Sequence, residues 1–142
     1  MDLDEVVYLR LYREAVELLP PPHTDRPTLL SNLANCLCTR FGYTNQLEDL
    51  DEAVYLYREA VELLLLPHTD RPTLLSNLAN CLCTIFGYTN QLEDLDEALC
   101  MHREALALLP LSHYGRSALL NNLSSALFTQ FGRAGQLDDL DS

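Results

Sequence analysis

Lysine is absent from the chain. Nine arginines carry every fixed positive charge against 21 acidic residues, and the formal net charge is −12. A surface that acidic repels phosphate backbones and anionic lipid, which argues against nucleic-acid binding and against a membrane-surface role. No apolar run reaches the length of a bilayer crossing. No charged-then-apolar leader opens the sequence, so no secretory signal is expected. Strand signals are nearly missing. A glycine-rich phosphate loop, Gly-x-Ser-x-Gly and His-Glu-x-x-His are missing too, which leaves no familiar catalytic constellation and predicts a chain that is not an enzyme. The five cysteines are an odd number, arranged as two Cys-x-Cys pairs plus Cys100. That is not a secreted disulfide framework, and it predicts a reducing, cytoplasmic setting.

What the chain has is repetition. Leu-Leu-Ser-Asn-Leu-Ala-Asn-Cys-Leu-Cys-Thr at residues 29–39 returns at 74–84, and a looser copy occupies 119–129. The step is 45 residues each time, as His23, His68 and His113 or Phe41, Phe86 and Phe131 mark. Residues 22–53 and 67–98 differ only at Arg40 against Ile85. A period of that size means an array of similar units. The first two are near-identical duplicates, so the drifted third copy marks what the unit requires.

Each unit holds two helical patterns. In the first, Leu30, Leu33, Ala34, Leu37 and Phe41 fall on one face at 3.6 residues per turn. Thr24 and Asp25 are candidate N-caps, Pro27 suits the first turn, and Asn45, Asn90 and Gly135 suit a left-handed stop. In the second pattern, Leu50, Ala53, Val54, Tyr57, Ala60, Val61 and Leu64 mark one face. Acidic residues crowd its first turn, where the helix dipole favours them, and a proline closes it. Ala34 and Ala53 would let the two helices approach closely as an antiparallel pair. Calling the two types A and B, the chain predicts a B helix at 2–19, units at 25–65 and 70–109, an A helix at 115–134 and a truncated B helix at 136–142. All of 1–142 is then one all-α array, cut as a window from a longer one.

Several residue groups invite chemistry. Two cysteines two apart on a helix point about 200° apart and cannot share one metal ion. Cys36, Cys38, Cys81 and Cys83 are therefore read as small packed thiols, without a metal site. His23, His68 and His113 fall between units, where a turn or capping role is expected, and His102 replaces Tyr57 as a packed ring. The acidic runs lack a calcium loop and read as helix starts on a solvated face. Arg13, Arg58 and Arg103, each followed by Glu, read as surface charges.

Leu33-Ala34 with Ala53, Tyr57 and Ala60, then Leu78-Ala79 with Ala98, His102 and Ala105, and the closing prolines together resemble the tetratricopeptide repeat. The units are eleven residues longer than that family's standard, and in this they resemble the long repeats of large fungal proteins that carry caspase-like or NTPase signalling domains. The resemblance implies a right-handed α-solenoid of antiparallel helical hairpins, needing no cofactor. It implies a non-enzymatic scaffold whose A helices line a concave peptide groove. The groove positions are Thr28, Ser31, Asn35, Cys38 and Thr39; Thr73, Ser76, Asn80, Cys83 and Thr84; then Ala118, Asn121, Ser125, Phe128 and Thr129. Asn35 and Asn80 suit a peptide backbone, offering donor and acceptor together. Ser31, Ser76 and Asn121 stand where binding of an acidic chain terminus needs basic residues, so the charge favours a neutral or basic ligand. Two alternatives remain: a self-associating structural array pairing through its open terminal helices, and the sensing region of a larger enzyme or signalling protein.

Overall fold

The computed structural model describes residues 3–20, 24–64, 70–110 and 113–141, with the backbone alone at 3–5 and 133–141. Among the described residues all regular structure is helical, in six helices: α1 (Leu3–Leu18), α2 (Arg26–Thr44), α3 (Leu47–Leu63), α4 (Arg71–Thr89), α5 (Leu92–Ala107) and α6 (Arg116–Asp141). Each packs on its neighbour in sequence; the fullest contacts are α2 with α3 and α4 with α5, and α6 also reaches α4.

The packing follows the apolar stripes. Leu30, Leu33, Ala34 and Leu37 of α2 are buried, as are Leu50, Ala53, Tyr57 and Ala60 of α3. Burying one leucine contributes about 2 kcal/mol. The same positions in α4 and α5, Leu75, Leu78, Ala79, Leu82, Leu95, Ala98 and Ala105, are also buried. Ala34, Ala53, Ala79 and Ala98 are completely enclosed, so the small residues do lie in the packed interior.

The expected stops at Asn45 and Asn90 are present. Their φ values are 56° and 57°, and each backbone N–H reaches the carbonyl of Phe41 or Phe86 at 2.8 Å. Asparagine tolerates this left-handed backbone better than most residues. Asp25 and Asp70 do precede α2 and α4, but in helical backbone and without a side-chain capping bond. Their carbonyls instead accept Leu29 and Leu74 N–H at 3.1 Å, continuing the helical ladder backwards.

The end of the chain differs from expectation. No stop occurs at Gly135; α6 runs unbroken to Asp141, so the residues expected to divide into an A helix and a B stub are one element over Arg116–Asp141. The physical reason lies in what a reversal would bury. Residues 136–142 offer only Leu137 and Leu140, against the eight buried positions of α3. Continuing the helix satisfies the backbone without needing a docking face.

Three arginines that the sequence pattern does not single out join the units. Arg26 donates to the carbonyls of Val16 and Leu19 at 2.8 and 2.5 Å, and its other nitrogens hold Glu59 at 3.0–3.2 Å. Arg71 repeats this on Val61 and Leu64, at 2.7 and 2.8 Å, and on Glu104 at 3.3 Å. Arg116 donates to Leu106 and Leu109 at 3.0 and 3.1 Å. Each caps the open carbonyls of the preceding helix from the start of the next. Arg13 and Arg58 also do more than decorate the surface: they bridge to Glu52 at 3.0 Å and Glu97 at 2.8 Å, linking α1 to α3 and α3 to α5.

Candidate functional site

The polar positions of α2, α4 and α6 line a series of depressions between these helices. One, of about 250 Å³, is walled by Thr28, Ser31, Asn32 and Thr73 together with Leu64. The next along the same pair, about 400 Å³, is walled by Asn35, Cys38, Asn77, Asn80 and Thr84, with Tyr57 beneath. Between α4 and α6 lie two more. The larger, about 460 Å³, holds Ser76, Asn80, Ala118, Asn122 and the His113-Tyr114 turn. The smaller, about 130 Å³, holds Asn80, Cys83, Ser125 and Thr129.

Twelve of the fifteen candidate groove residues therefore share these depressions: Thr28, Ser31, Asn35, Cys38, Thr73, Ser76, Asn80, Cys83, Thr84, Ala118, Ser125 and Thr129. Thr39, Asn121 and Phe128 line none of the four; all three are exposed on their helices. Asn80 enters three depressions, more than any other candidate.

Their hydrogen bonds decide what each can still offer. Thr39, Thr84 and Thr129 each donate back to the carbonyl four residues earlier at 3.0–3.1 Å, which commits the hydroxyl proton. Asn35 accepts from the Tyr57 hydroxyl through Oδ1, so its amide N–H₂ is the part left for a ligand. Asn80 is the counterpart of Asn35, but His102 stands opposite it in sequence instead of Tyr57. His102 is fully buried, and among the described residues neither ring nitrogen has a partner. Burial pushes its pKa down, so it stays neutral. Ser76 is buried and accepts Asn122 Nδ2 at 3.4 Å, so it works between helices more than toward solvent.

Sequence reasoning missed Asn32, Asn77 and Asn122, which line the depressions beside the expected positions. The signal was available, since asparagine stands there in all three copies. His113 has the expected turn role: its Nδ1 accepts the N–H of Gly115 at 2.9 Å, and its ring stacks on Tyr114 at 4.7 Å. His23 and His68 lie outside the described residues.

Glu48, Asp51, Glu93 and Asp96 of the acidic helix starts are exposed as expected, but one residue differs. Asp49 is buried, and Arg40 holds it through three contacts of 2.6–3.1 Å while Thr44 donates at 3.3 Å. Neighbouring units also bring unlike cysteines together: Cys38 Sγ lies 3.4 Å from Cys81 Sγ. Among the described residues no group of three or more His, Cys, Asp or Glu side chains is placed to hold a metal ion, and no helix is long and apolar enough to cross a membrane. No protein-family model matches the chain, and no curated protein matches its sequence.

Proposed function

We propose that the chain is a non-enzymatic scaffold for protein contacts. Its helices form a right-handed solenoid of tetratricopeptide-like hairpins, and the α2, α4 and α6 face takes an extended peptide. The observation that carries this reading is the row of depressions along one face, each lined in part by amides and hydroxyls, with Asn80 shared by three of them. Amides and hydroxyls spaced by a repeat match a peptide backbone, which itself repeats donor and acceptor. The charge of −12 favours a neutral or basic ligand.

A peptide library screened against the whole chain tests this. Selected peptides should be neutral or basic, and Asn80→Ala should weaken them at least roughly tenfold, the size of one or two hydrogen bonds. Tyr55→Ala, at an exposed position on α3, should leave affinity unchanged. Equal affinity for Asn80→Ala and the unaltered chain would reject the groove.

A specific observation supports a second reading, end-to-end self-association. Leu120 and Leu127 of α6 are exposed, although their counterparts Leu30, Leu37, Leu75 and Leu82 lie buried against α3 and α5. Phe131 is 76% exposed beside them. Helix α1 carries the same pattern as α3 and exposes Tyr8 and Leu11, so α1 of a second copy is the natural cover. Tyr8 stands where α3 has Ala53, which makes that contact looser than the internal one. Sedimentation velocity should then show mass rising with concentration, and Leu127→Glu should abolish the rise; a concentration-independent monomer would reject it.

A further inference from the structure

The repeat makes Cys38 the equivalent of Cys83, yet the thiol it meets is Cys81, two residues earlier on α4. The sulfurs are 3.4 Å apart. Cys81 is buried and Cys38 half-buried, and both line the 400 Å³ depression, which gives a small molecule a way in. Around them stand the Tyr57 hydroxyl and the Asn35 amide. We propose that Cys38 and Cys81 are an oxidation site, where hydrogen peroxide converts the two thiols to a disulfide that ties α2 to α4.

The two sulfurs are unequal, which sets the order of events. The contact with Cys81 favours the Cys38 thiolate, so the Cys38 pKa falls to about 7. The same contact and burial push the Cys81 thiol up, so it keeps its proton. The thiolate is the nucleophile in such chemistry. Cys38 sulfur attacks one peroxide oxygen, the O–O bond breaks, and the departing hydroxide takes up the proton that Cys38 had released. The product is Cys38 sulfenic acid and one water. Cys81 sulfur then attacks the Cys38 sulfur; the S–O bond breaks, and the leaving oxygen departs as a second water with the Cys81 proton. Two thiols are oxidised and one peroxide is reduced, with nothing left over. A disulfide needs sulfurs about 2.05 Å apart, so about 1.4 Å must close. Helices α2 and α4 meet through side chains with little backbone contact, so rotamer changes and a small helix shift can supply it. The inference does not depend on what the groove binds.

The test uses the whole chain with hydrogen peroxide near neutral pH, followed by alkylation and peptide mapping by mass spectrometry. The expected result is a monomer lighter by two hydrogens, with the peptides of Cys38 and Cys81 joined, and a Tm raised by roughly 5–10 °C. Cys36→Ser and Cys100→Ser should keep the cross-link, and Cys38→Ser should abolish it while leaving Cys81 open to alkylation. If Cys38→Ser fails to fold, the unaltered chain still decides. Oxidation confined to the exposed Cys100, or Cys38 carried on to sulfinic acid while Cys81 remains alkylatable, overturns the proposal.

Discussion

Arg40 and Ile85 are the single difference between two otherwise identical stretches of 32 residues, and each settles its neighbour differently. Arg40 neutralises Asp49, whose side chain is only 7% exposed. Ile85 is buried as an apolar contact, and the counterpart carboxylate Asp94 has its pKa raised by desolvation and by Glu97 and Glu93 nearby. The two copies therefore share a backbone plan with different local chemistry. Arg40→Ala should cost about 2 kcal/mol, because it leaves a buried carboxylate unpaired. Adding Asp49→Ala should restore part of that loss; urea unfolding of the two variants measures both. His102 carries a second consequence at this scale. Its folded pKa is lowered from 6.5, so below pH 6.5 the unfolded chain binds a proton that the folded chain refuses. Stability should fall as the pH drops below that value, by at most about 1.4 kcal/mol per pH unit from this residue. His102→Tyr, which copies Tyr57, should remove that part of the slope in urea unfolding followed at pH 5–7.

At the scale of elements, the junctions rest on Arg26, Arg71 and Arg116. Arg71 donates to two carbonyls at the end of α3 and to Glu104 of α5. Arg71→Ala should destabilise the chain by about 2 kcal/mol, and native-state hydrogen exchange should quicken first in the last turn of α3 and the first turn of α4. The helices themselves were legible because their apolar spacing is local: Leu30, Leu33, Ala34 and Leu37 name the α2 face before any coordinate does. The stops at Asn45 and Asn90 were legible for the same reason. The arginine clamps were not, because Arg26 and Glu59 are 33 residues apart and nothing local marks them as partners. The run of α6 through Gly135 was misread because a glycine that permits a stop does not compel one. The site divides similarly. Spacing placed Asn35 and Asn80 on the lined face, but it could not show that Tyr57 already occupies the Asn35 carbonyl or that Cys38 would meet Cys81 across two helices.

At the scale of the whole molecule, each helix leans chiefly on its sequence neighbours. An array of this kind gains length and stability unit by unit, without enlarging a common centre. The proposed scaffold reading places its usefulness in the face that successive A-type helices share. Inserting a further copy of residues 45–89 between Thr89 and Asn90, and measuring both proteins by small-angle X-ray scattering, tests this most directly. A compact domain of 142 residues has a radius of gyration of about 14–15 Å. The solenoid account predicts a larger value for this chain, and a longest dimension that grows by about one helix-pair thickness, roughly 20 Å, with the added unit. A radius at the compact value that rises only with the slow growth of a globule would contradict it.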